Sequence, residues 1–243
     1  MSKTLAVFFA LVATALAQEN DTAYHAMRTV GNQLGRGALH RIVEVSGVRG
    51  NPQPARWRVL LADRNFATGI REIEVANGRI VSDHASESGG GNASTIQTAK
   101  LNLDSSGAYA VAAHTADTSH VIFNSVSYTL RNDHRGNPVW IVALEGGSGE
   151  ALGTIHIGAN RGNIARVEGM YRGRNLENGD AEAPVVGREG EHEAEPEVTD
   201  ADEADENIVK RRIKEMFRRT SRDAAAMFHR VRRSFADYID PDR

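Results

Sequence analysis

Arg135-Gly136-Asn137-Pro138-Val139-Trp140-Ile141-Val142-Ala143-Leu144 decides the fold when it is set beside an earlier stretch of the same chain. The tetrapeptide Arg-Gly-Asn-Pro also stands at Arg49-Gly50-Asn51-Pro52, and there too a tryptophan soon opens an apolar run, Trp57-Arg58-Val59-Leu60-Leu61. Each run is followed by a second one, Ile73-Glu74-Val75-Ala76-Asn77-Gly78-Arg79-Ile80 and Ile155-His156-Ile157-Gly158-Ala159-Asn160-Arg161-Gly162-Asn163-Ile164. The spacing from Trp to the second run nearly matches, 57 to 73 against 140 to 155. The same features in the same order read as a tandem duplication.

Elementary backbone physics gives each copy its form. Pro fixes its own φ and pushes the preceding Asn out of the helical region, so Gly-Asn-Pro is a turn. On either side, apolar residues recur with a period of two: Val43 and Val45 before the first turn, Val126, Tyr128 and Leu130 before the second, then Trp57, Val59 and Leu61, then Ile73 and Val75 between Glu72 and Glu74. That period marks antiparallel strands with one buried face. Asn77-Gly78 and Arg161-Gly162 supply tight turns before a last short strand. A helix precedes the strands in each copy. Asp21 or Thr22 caps Ala23 to Leu34, which Gly35 and Gly37 end, and Asp104-Ser105-Ser106 caps Ala108 to Ala113. The expectation is an α+β chain of two tandem units, each one helix packed on a small antiparallel sheet, over residues 18–82 and 101–175. Residues 83–100 are the linker, with the Gly- and Ser-rich stretch Ser86 to Ser94 as a flexible joint. Units this small are expected to share a core.

The ends of the chain carry different information. Lys3, the apolar run Leu5 to Val12 and Ala15-Leu16-Ala17 have the three-part layout of a signal peptide over residues 1–17, so the protein is expected to be periplasmic or secreted. There is no cysteine, which excludes thiol catalysis, thiolate metal sites and disulfides. The net charge of −3 hides a segregation. Residues 1–176 carry 17 bases and 14 acids, residues 177–206 carry 13 acids and Arg188, and residues 207–243 carry 11 bases and 5 acids. The acidic stretch 176–206 has few apolar residues to offset ordering entropy and is expected to be a disordered linker. From 207 to 243, Val209, Ile213, Phe217, Thr220, Ala224, Phe228, Val231, Phe235 and Ile239 form one stripe at helical spacing. Lys210, Arg211, Lys214, Arg218, Arg222, Arg232 and Arg233 populate the remaining surface. This predicts a basic amphipathic helix that docks on the units, pairs as a coiled coil, or binds an anionic envelope surface through those seven side chains.

Catalytic and metal patterns do not emerge. Gly146-Gly147-Ser148-Gly149-Glu150 departs from a nucleophile elbow at Glu150 and precedes a strand, so it reads as a hairpin loop. None of the nine histidines has the spacing that puts two imidazoles on one helix face, although His114 and His120 could meet by folding. Glu72 and Glu74 read as the solvated face of a sheet, and Trp57 and Trp140 as core residues.

The second copy resembles a PepSY-type domain. An Ala-rich helix opened by Asp104-Ser105-Ser106 leads to the strand Ser125 to Leu130, then Pro138-Val139-Trp140-Ile141-Val142, then Gly153-Thr154-Ile155-His156-Ile157 and a turn with Gly162. The turn Gly158-Ala159-Asn160-Arg161-Gly162 keeps the family's Ala and Gly and lacks its Asp and Thr. The first copy matches through Asn77-Gly78. Such domains occur in peptidase propeptides and envelope proteins, and the resemblance implies a non-enzymatic protein that binds or restrains a protein or peptide partner, a peptidase among the candidates. No cofactor, metal or nucleic acid is expected. The alternatives are an anionic-surface binder acting through its C-terminal helix and a hydrolase with an unrecognised site.

Overall fold

The computed structural model describes residues 22–87, 94–170, 228–229 and 231–240. The signal-peptide segment 1–17, the acidic stretch 176–206 and most of the expected C-terminal helix lie outside them.

The chain is α+β. Helix α1 (Ala23–Leu34) and a short 3-10 turn (Arg36–Arg41) precede strands β1 (Ile42–Gly50), β2 (Trp57–Ala62), β3 (Ile70–Ala76) and β4 (Arg79–Ala85). A second 3-10 turn (Thr98–Lys100) leads into α2 (Ser105–Thr118), then β5 (Ser125–Asn132), β6 (Pro138–Glu145), β7 (Ala151–Gly158) and β8 (Ile164–Glu168). A short helix, α3 (Phe235–Ile239), lies near the C-terminus.

All eight strands belong to one antiparallel sheet in the order β4-β3-β2-β1-β5-β6-β7-β8. This corrects the expectation of two small sheets. The first strand of each set of four pairs with the other, Val45 opposite Leu130 and Ser46 opposite Thr129. Two four-stranded meanders left apart would each expose an extra row of unpaired N–H and C=O groups, and joining them at β1 and β5 satisfies both rows.

Alternation along the strands separates two faces. Ile157, Trp140, Leu130, Val45, Val59 and Ile73 are consecutive cross-strand neighbours from β7 to β3 and are all buried. Both helices pack over this face, α1 against β2 to β4 and α2 against β6 and β7. Residues from both halves join in a single hydrophobic cluster. Trp57 and Trp140, on the second strand of each meander, meet in that cluster with ring centroids 6.5 Å apart, and Tyr128 lies within 5.6 Å of one and 6.2 Å of the other.

The expected linker contributes to the fold at both ends. Residues 83–85 finish β4, the buried Ser86 donates its N–H to Ile70 O at 3.0 Å, and Ile96 is buried with its N–H on Ile42 O at 2.7 Å.

The repeated tetrapeptide does two different jobs. Around Arg135-Gly136-Asn137-Pro138 the chain makes a compact turn in which Asp133 accepts the N–H groups of Arg135 and Asn137, both at 2.8 Å, and Pro138 starts β6 at once. After Arg49-Gly50-Asn51-Pro52 the chain runs on to Arg56 before β2 begins. That longer loop lies against the second half: Pro52 O accepts the Tyr128 hydroxyl at 2.5 Å, and Gln53 Oε1 accepts the Ser105 hydroxyl at 2.7 Å. Pro54 covers Gly47, where a Cβ would stand 2.5 Å from its Cγ. A glycine in β1 is therefore required by the loop that crosses it.

Candidate binding surfaces

The two helices begin at the same place. Asp104 caps α2 by accepting the Ser105 N–H at 2.7 Å, and the same oxygen accepts the Tyr24 N–H of α1 at 2.9 Å. Ser105 accepts the Ala23 N–H at 3.0 Å. Thr22 caps α1 in the ordinary way, accepting the His25 N–H at 3.3 Å. Both helix N-termini, with their unsatisfied donors and positive dipole ends, thus converge on one carboxylate. Asp104 is fully buried, and burial pushes its pKa up to about 6 against the opposing pull of the Thr22 hydroxyl, the Tyr24 and Ser105 N–H groups and Arg233. Burial, reinforced by the charge of Asp104, also holds the Tyr24 hydroxyl well above its usual range. Next to Asp104, Leu103 O accepts the Trp140 indole N–H at 2.8 Å.

The C-terminal segment lies over this junction. Phe228 is buried against Gly162, where a Cβ would come within 2.4 Å of three of its carbons. Val231 approaches Gly107 of α2 at 3.2 Å from the equivalent position. The Arg233 N–H bonds Asn102 O at 2.9 Å, and the Phe235 N–H bonds Leu101 O at 2.8 Å. Phe235 and Tyr238 are buried against Tyr24, with centroids at 4.9 and 5.8 Å. The guanidinium carbons of Arg28 and Arg233 stand 4.5 and 4.3 Å from the centre of the Tyr238 ring. Arg36 pairs with Asp240 at 3.8 Å.

The other sheet face carries a different chemistry. One cross-strand row runs from edge to edge as Arg166, His156, Ile141, Thr129, Ser46, Arg58, Glu74 and Ser82. Arg58 reaches Glu44 at 3.3 Å, Glu72 at 3.8 Å and the Ser46 hydroxyl at 3.3 Å. Glu145 accepts the hydroxyls of Ser125 at 3.1 Å and Ser127 at 2.5 Å. Glu168 lies 3.5 Å from His156 and 2.6 Å from Arg166. Partial burial lowers the His156 pKa, with Glu168 opposing and Arg166 and Arg131 adding to the shift. Among the described residues no helix lies across this face.

Of the seven basic residues singled out in the tail, Lys210, Arg211, Lys214, Arg218 and Arg222 lie outside the described residues. Arg232 and Arg233 are described and exposed. They do not continue a helix: Phe228, His229 and Val231 are helical, residues 232–234 are not, and α3 starts afresh at Phe235. The apolar stripe read from the sequence does turn inward at Phe228, Val231, Phe235 and Ile239. Ser148 sits in the β6–β7 turn with its hydroxyl on Glu150 at 2.6 Å. Among the described residues no three of His, Asp and Glu come together as a metal ligand set. The sequence reading saw Asp104 as the cap of one helix and gave no role to Tyr24, Arg28 or Tyr238. Their partners lie eighty or more than two hundred residues away, and only Asp-Ser-Ser before an Ala-rich run hints at part of the site. Comparison with protein-family models, with curated proteins and with solved structures gives no match.

Proposed function

We propose that this is an exported, non-enzymatic envelope protein that binds a protein partner across the polar face of its sheet. The observation that carries the reading is the size and chemistry of that face. Seven inter-strand spacings of about 4.8 Å make it about 34 Å wide, and strands of about seven residues make it about 23 Å tall. The resulting area, roughly 800 Å², is what one partner contributes to a standard protein–protein interface. Arg58, Glu74, Glu145 and Arg166 supply charge, His156 adds a polar ring, and Leu60, Ile141 and Ala143 lie between them as apolar ground.

The chain is, in this reading, a duplicated helix-and-four-strand unit of PepSY-like type. Support comes from the repeated element order, the mirrored strand order about the β1–β5 seam and the matching strands of Trp57 and Trp140. Duplication with edge pairing doubles the width of a binding face without a new fold.

Affinity capture from a periplasmic extract tests it. The wild-type protein should retain a partner that a Thr129→Lys/Ile141→Lys variant loses, with circular dichroism unchanged. Equal capture by both rejects the face. Turnover of a peptide, ester or glycan substrate that disappears in Ser148→Ala would instead favour the hydrolase.

A second reading rests on the exposed Arg232 and Arg233, the last two of the seven basic side chains singled out in the tail. The tail would then hold the protein at an anionic surface. Sedimentation with anionic vesicles should fall when Lys210, Arg211, Lys214, Arg218 and Arg222 are changed to Gln, and binding that survives those changes rejects it.

A further inference from the structure

We propose that the junction of the two helices is a peptide-binding groove, that residues 228–240 are its tethered resident ligand, and that an external segment of the same chemistry displaces them. This inference is independent of the polar sheet face.

The resident tail shows what the groove recognises. It is held by backbone pairing at Asn102 and Leu101, by two rings three residues apart, Phe235 and Tyr238, and by a third, Phe228, five residues before Arg233. Each contact meets a fitted receptor feature. Gly162 and Gly107 leave room for Phe228 and Val231. Tyr24 gives an aromatic wall for both later rings. Arg28 adds a cation over Tyr238, and the carboxylate of Asp104 offers an opposite charge to Arg233. The ligand class follows: a short segment with a basic residue two positions before an aromatic and a second aromatic three positions further on.

The contact is built to be reversible. The tail gains three buried rings and two backbone bonds, and the entropy of ordering about a dozen residues offsets that gain, so no large surplus holds it in place. Docking is intramolecular, since tail and groove belong to one chain, and the covalent link raises the effective concentration of the tail at the groove. An outside peptide must overcome that tether, which sets a threshold for engagement.

The test uses the full-length chain with a protease site placed between residues 177 and 206, and a fluorescein-labelled synthetic peptide of residues 226–241. Intact protein should bind the peptide weakly. Cutting the tether should let the resident tail exchange, and the peptide should then bind at least about tenfold more tightly. Peptides with Ala at the positions of Phe235 and Tyr238, or Glu at that of Arg233, should compete poorly. A full-length Phe235→Ala/Tyr238→Ala variant gives an uncut comparison and should also gain affinity for the wild-type peptide. A cut tail that never exchanges would make it a permanent part of the core and overturn the proposal. Equal peptide affinity before and after cutting would overturn it too. So would a concentration-dependent dimer of the intact chain holding exchanged tails, because the groove would then belong to a second copy.

Discussion

Asp104 is one carboxylate serving two helices, and its burial gives the protein a specific pH response. In the unfolded chain the group titrates near 3.8, and in the folded protein near 6. Between those values the folded state holds the proton and the unfolded state does not, so stability falls as pH rises through that window and levels off above it. The size of the effect is on the order of 3 kcal/mol. Asp63, Asp83 and Asp133 are shifted the other way. The Asn65 N–H and Arg41 lower Asp63, Arg71 lowers Asp83, and at Asp133 the N–H groups of Asn137 and Arg135 outweigh the raising effect of burial. Their contribution is present above the unfolded pKa and is lost as pH falls through the folded one. Comparing wild type with Asp104→Asn isolates the first group. Urea denaturation at several pH values between about 4 and 7 should show the variant gaining stability relative to wild type as pH rises. A constant difference across that range would mean that Asp104 takes up its proton at the same pH in both states. Trp140 offers a plainer prediction at the same scale. It is fully buried and bonded to Leu103 O, so Trp140→Ala should cost about 3–5 kcal/mol in the same assay.

Turns and edges set the behaviour of the elements. The β3–β4 hairpin turns on Asn77 and Gly78, with φ of 50° and 69°. Two consecutive positive φ values suit the twist of a two-residue hairpin. At Gly78 the space is also taken, because a Cβ would stand 2.9 Å from the His25 Nε2 of α1. Gly78→Ala should therefore destabilise the protein by about 1–2 kcal/mol, whereas Asn77→Gly should be close to neutral. Thermal melts of the two variants check this, and equal losses would argue against the left-handed turn. β4 is an edge strand and is mostly exposed. The Arg71–Asp83 pair at 2.5 Å and the neighbouring Asp63 place fixed charge along it. The β1–β5 seam lies at the middle of the sheet. Tyr128→Phe removes the bond from β5 to Pro52 O and should loosen the 51–56 loop. Faster amide exchange confined to that loop and the start of α2 is the expected signature.

At the scale of the whole molecule, one sheet and one core predict one transition. Both tryptophans lie in the same cluster, so fluorescence and circular dichroism should unfold with coincident midpoints, and the calorimetric and van't Hoff enthalpies should agree. Residues 1–94 expressed alone should fail to fold cooperatively, because β1 would lose its β5 partner and α1 would lose the Asp104 and Ser105 acceptors. A well-dispersed spectrum from that fragment would show that each half is a domain in its own right.

Much of the local structure was legible in the residues themselves. Period-two alternation located the strands around Val45, Trp57, Ile73, Val126, Trp140 and Ile155, Thr22 and Asp104 marked the helix starts, and Asn77-Gly78 marked a hairpin. These signals are short-range, because side-chain alternation, capping and turn conformation involve neighbours a few residues apart. The tertiary structure decided the rest. Which strand edges meet depends on hydrogen bonds that any two backbones can make, so no residue pattern announced that β1 and β5 would join two meanders into one sheet. The second helix on Asp104 is a contact over 80 residues, and the seat of Phe235 and Tyr238 against Tyr24 spans most of the chain length. The apolar stripe of the tail marked Phe235 for burial but did not include Tyr238. The break at residues 232–234 and the surface that buries them follow from backbone bonds to Leu101 and Asn102, which exist only once the two helices have brought that segment to the junction.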